Sequence, residues 1–211
     1  QYISKNFHPS GSKHLLDAAN DGSTYSKVHG KFHPYFREYL TKFEYYDILE
    51  NEYNNKIPLI VSHGAVTGTN IKGKHLSSID TSFLCSDDIN FFDDELVLIA
   101  KSKGLFALQM DGNRLTNKSK SRKSIFSLNA KSDINKSAEI VWYQLQHIAE
   151  ILDSHNLNGW NTACLGTDFD GTINPLSGIW TAEDLQLLAN KLFEKARHYI
   201  SNQNVLQKNS I

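Results

Sequence analysis

Apolar residues along this chain follow two rhythms, and the alternation between them predicts the fold class. From Tyr35 onward, Phe36, Leu40, Phe43, Tyr46 (or Ile48) and Leu49 recur at helical spacing and predict an amphipathic helix to about Tyr53. Residues 57–62 (IPLIVS) form a short, almost wholly apolar run, as a central parallel strand buried on both faces requires. Residues 64–88 read as a polar loop. A helix then starts near Asn90, with Asp93, Asp94 and Glu95 where the helix dipole favours acids. Leu96, Ile99 and Ala100 form its inner stripe, and Gly104 is expected as its C-cap. Residues 105–110 (LFALQM) read as the next strand. Past a polar stretch over 111–136, Val141, Leu145, Ile148 and Leu152 mark one face of a helix. Residues 163–166 read as a further short strand, followed by TDFDGT. Thr181 and Asp184 resemble a capping box ahead of a last stripe, Leu185, Leu188, Leu192 and Phe193.

Strands that alternate with helices argue for βα units and a parallel sheet, hence the α/β class. The expected organisation is an irregular segment over 1–34, a βα-built domain over 35–199 and a disordered polar tail over 200–211. The composition, 40% hydrophobic and 21% charged over 211 residues, is ordinary for a globular chain. A net charge of −1 gives no reason to expect nucleic acid as a partner. The basic run over 118–123 (KSKSRK) has no aromatic platform beside it and reads as a solvated loop. No apolar run reaches the ~18 residues of a membrane span, and no signal-peptide core opens the chain, so the cytoplasm is the default expectation. Cys85 and Cys164 stand far apart without a CxxC pair, which excludes a disulfide framework or zinc knuckle. The chain opens on Gln1 and holds 1 methionine, Met110, so a processed or incomplete chain is expected. A homo-oligomer is left open.

Two constellations carry the candidate chemistry. Ser62-His63-Gly64 stands where an apolar strand ends, the position at which catalytic and metal-binding groups collect in α/β folds. A neutral imidazole there can hold a metal through one ring nitrogen while an acceptor orients the other, or it can simply cap the strand. Asp168-Phe169-Asp170-Gly171 follows the next short strand but one. Its two carboxylates share a side if the strand continues and fan around a loop if it does not. Either placement suits general acid–base work or metal coordination, with Gly171 permitting a turn; a solvated turn is the bland reading. The string DFDGT also matches the first motif of haloacid-dehalogenase-like phosphotransferases, in which Asp168 would be a nucleophile and Mg²⁺ the cofactor. Of the other histidines, His33 could be a ligand lying upstream of His63, and His147 reads as a helix-flank residue.

In order and spacing, PLIVSHG, N-x-x-DDEL-x-x-IA ahead of GLFALQ, HIAEILD and LGTDFDG resemble the renal (membrane) dipeptidase family over about residues 57 to 190. The resemblance implies a zinc-dependent hydrolase of small peptides on a TIM-type (β/α)₈ barrel, of which this chain carries the C-terminal part. It implies two zinc ions and a metal-activated water. His63 would be a zinc ligand at the end of the sixth strand and His33 a second one. Asp168, after the eighth strand, would be the catalytic acid that orients the water and passes a proton to the leaving amine. The chain departs from the family in having no H-x-D pair and no counterpart of the bridging glutamate. Ile89 also stands where the family has an arginine that meets the substrate carboxylate, leaving Lys72, Lys74 or Arg114 as substitutes. A non-catalytic barrel remnant is therefore the alternative from another class.

Overall fold

The structure is a computed structural model that describes residues 25–27, 58–87, 89–117 and 130–202; for 25–27, 130–133 and 202 it describes the backbone element alone. Four strands, β1 (Tyr25–Lys27), β2 (Leu59–Gly64), β3 (Leu105–Leu108) and β4 (Ala163–Leu165), lie side by side in chain order. Each neighbouring pair is parallel. Parallel neighbours need a crossover between them. Helix α1 (Asp93–Lys101) supplies it between β2 and β3, and the long α3 (Ala130–Ser154) between β3 and β4. A single turn, α2 (Gly112–Leu115), follows β3, and α4 (Leu185–Asn202) ends the described chain. The described residues thus form a mixed α/β unit around an open parallel sheet.

One face of the sheet makes the core. Leu59 and Val61 of β2 and Phe106 and Leu108 of β3 pack with Leu96 and Ile99 of α1 and with Val141, Ile148 and Leu152 of α3. The stripe read from the sequence of α3 is therefore its buried face. Helix α1 is buried more completely than its pattern suggested, since Val97 and Leu98 are also in the core. The capping box at the start of the last helix is present. Asp184 Oδ2 accepts from the backbone N–H of Trp180 at 2.9 Å and of Thr181 at 3.0 Å. These two bonds hold the Asp184 carboxyl below its usual range.

Several expectations need correction. A strand, β1, lies inside the segment over 1–34 that reads as irregular. Gly104 is not a left-handed cap; the left-handed residue is Lys103, with φ 60°. Gly104 is needed for space, because a Cβ there would stand 1.9 Å from Leu59 O. Phe193 is 59% exposed and faces away from the last stripe, with the Arg197 guanidinium 4.4 Å over its ring. Helix α4 runs on to Asn202, so the polar character past Tyr199 does not end it. The helix expected over 35–53 and the basic run over 118–123 lie outside the described residues.

Candidate functional site at the strand ends

An extra residue in β2 decides where His63 points. Val61 pairs with Phe106 and Gly64 with Leu108, so β2 spends three steps where β3 spends two. Val61 is in the core, and a Cβ on Gly64 would meet Val61 and Phe91, so both positions face the helices. Side chains alternate along a strand, so Ser62, next to Val61, and His63, next to Gly64, both turn to the opposite face. In a regular strand His63 would have pointed into the core. The two side chains are accordingly neighbours, with Ser62 Oγ and His63 Nδ1 hydrogen-bonded at 2.9 Å.

Asp168 reaches the same place from the other side of β3. Gly166 comes so close to β2 that a Cβ on it would lie 1.9 Å from Ser62 O and 2.7 Å from the Ala107 Cβ. The sheet therefore curls around the face that carries Ser62 and His63. Asp168, three residues past the end of β4, has φ 56°, a left-handed residue that starts a turn. Gly171 N and Thr172 N close the turn by donating to Asp168 O. The turn aims Asp168 inward, with Oδ2 3.8 Å from His63 Nε2. Asp170 stands exposed in the turn, so the two carboxylates fan around a loop and do not share a side. Gly171 contributes space: a Cβ on it would be 2.5 Å from Asp168 Oδ1.

The structure thus brings His63 and Asp168 together, while His33 lies outside the described residues. Among the described residues, no three His, Cys, Asp or Glu side chains converge as a metal site. His63 and Asp168 offer two donors, fewer than the three a catalytic zinc typically takes from protein. By themselves, then, the described residues do not fit a zinc centre. Among the cations named as anchors for a substrate carboxylate, Lys72 and Lys74 are exposed. Arg114 is half-buried, donating from Nε to Asn90 Oδ1 at 2.9 Å and from Nη2 to Ile89 O at 3.3 Å. Burial lowers its pKa from the ordinary arginine value.

His147 is no flank residue. It is fully buried, with Nε2 2.7 Å from Asp93 Oδ1 and Nδ1 2.7 Å from Ser77 Oγ, and its ring stacks on His75. Serine, histidine and aspartate in a hydrogen-bonded row are the residue types of a nucleophilic triad. Here the imidazole is sealed inside, and the row fastens the loop after β2 to α1 and α3. Glu150, one helical turn on, extends the fastening by accepting from Ser78 Oγ at 2.7 Å and Tyr199 Oη at 3.1 Å. No local sequence signal joins these partners, which come from a loop and three helices.

No protein-family model, no curated protein and no solved structure matches this chain.

Proposed function

We propose that this chain is part of a zinc-dependent hydrolase of small peptides, of the renal dipeptidase kind, with His63 and Asp168 in its reaction site. The observation that carries this reading is their approach to 3.8 Å from two separate motifs that the resemblance had singled out. The curl of the sheet supports the (β/α)₈ part of the reading, with β2, β3 and β4 in the places of the sixth, seventh and eighth strands. In this reading Asp168 takes a proton from the attacking water and hands it to the leaving amine. Ser62 fixes the His63 ring through Nδ1 and so keeps Nε2 on the Asp168 side. Arg114 is the best of the three cations for a substrate carboxylate, because its planar fork is already held by two neutral oxygens, although Asp111 and Asp87 also act on its charge. A zinc ion bound here would take its further ligands from outside the described residues, where His33 is the candidate. The phosphotransferase reading gains no support, because among the described residues no strand follows β4 to carry further phosphate-handling groups.

Zinc content per chain tests the reading. Elemental analysis of protein purified without chelator should find zinc in the wild type and roughly half of it or less in His63→Ala. Absence of zinc from the wild type, or equal content in both proteins, would count against it and favour a non-catalytic remnant.

A further inference from the structure

We propose that Gln109 is a substrate-contacting residue of the His63–Asp168 site, its side-chain amide donating a hydrogen bond to the carbonyl oxygen of the bond under attack. The inference rests on the peptide-hydrolase reading above. Phe106, Leu108 and Met110 all belong to the buried core. Alternation therefore sends Ala107 and Gln109 to the other face, the one that holds Ser62 and His63. The backbone ladder holds through this point, since Gln109 N donates to Gly64 O at 3.0 Å and Met110 N to Thr167 O at 3.2 Å. Gln109 thus stands at the end of the middle strand, between the residue after His63 and the residue before Asp168.

Its side chain is unusual for so deep a position. Gln109 is 4% exposed, and its Nε2 has no hydrogen-bond partner among the described residues. Proteins satisfy nearly all buried donors, because an unpaired one has given up water for nothing. A buried donor left open just past the end of β3, on the face that holds Ser62 and His63, is poised for an acceptor that arrives with the substrate. Peptide hydrolysis brings such an acceptor. As water adds, a C–O bond forms, the carbonyl π pair moves onto oxygen, and one water proton goes to the Asp168 carboxylate. Collapse restores the carbonyl and breaks the C–N bond, and the Asp168 proton goes to the leaving nitrogen. Water is the only co-reactant. A preorganised amide N–H is worth most at the moment the oxygen carries charge, so its effect falls on turnover more than on binding.

Gln109→Met keeps the length of the side chain and removes the amide. For the zinc-supplemented full chain acting on a dipeptide such as Ala-Ala, kcat/KM should fall roughly 10²- to 10³-fold, mostly through kcat. The unfolding midpoint should stay level or rise, because the orphan donor is gone. A residue serving only structure would do the opposite and lower the midpoint. Should Gln109→Met fail to fold, Gln109→Asn, which withdraws the amide by one methylene, is expected to lose at least about tenfold in kcat. Turnover by the folded variant within about threefold of wild type, or a lowered midpoint, overturns the role of Gln109 alone. A wild type that cleaves no dipeptide overturns the peptide-hydrolase reading and this role together.

Discussion

Replacing Gly166 by alanine should destabilise the protein by about 2–3 kcal/mol, a large effect for one methyl group. The new Cβ would lie 1.9 Å from the Ser62 carbonyl oxygen and 2.7 Å from the Ala107 Cβ. Neither neighbour is the far end of a flexible side chain. One is strand backbone, and the other is fixed to the middle strand between them. Relief requires β2 and β4 to separate, which flattens the curl of the sheet and draws His63 away from Asp168. Stability and the geometry of the site should therefore fail together. Urea unfolding of Gly166→Ala measures the first, and an unchanged midpoint would contradict the close approach.

His147→Leu should cost about 3 kcal/mol, because the buried Asp93 Oδ1 is left without its hydrogen-bond partner. Asp93 is 2% exposed, and its Oδ2 already lacks a hydrogen-bond partner among the described residues. Taking away the imidazole leaves Oδ1 unpartnered as well, and Ser77 loses its partner on α3. The double variant Asp93→Asn, His147→Leu removes the buried carboxylate along with the ring, so it should recover part of the loss. A cost below about 1 kcal/mol for the single variant would show that the pair contributes little. Urea unfolding of the two variants and the wild type decides between these outcomes.

The parts of the fold and site legible in the sequence share a physical cause. Parallel strands packed against helices need apolar runs, so residues 57–62, 105–110 and 163–166 announced β2, β3 and β4 within a few residues. Burial on both faces, expected for β2, is not what the sheet shows: its core lies on one face and no residue of β4 is buried. The apolar stripe of α3 did the same for the helix between β3 and β4. His63 and Asp168 were legible because each interrupts an apolar run at the end where α/β folds place their chemistry. The extra residue in β2 was not legible, because a one-residue irregularity leaves the hydropathy pattern almost unchanged and yet reverses the face of His63. His147 was missed because its partners, Asp93 and Ser77, are set by packing and not by spacing. Gln109 was hidden inside LFALQM, where an amide in an apolar run looks like a strand end turning toward water. Gly104 was misread because a glycine after a helix signals a left-handed cap, whereas the demand here comes from β2 passing close by.

Loss of the Asp168 carboxylate should affect turnover most directly. Dipeptide hydrolysis should be followed as release of free amino acids, with zinc supplied, for the wild type and Asp168→Asn, with circular dichroism to show that both are folded. The wild type should turn over, and kcat should fall about 10²- to 10⁴-fold in the variant, the range for loss of a general acid–base group. Equal turnover by the two proteins, or none by the wild type, would contradict the proposed role of Asp168.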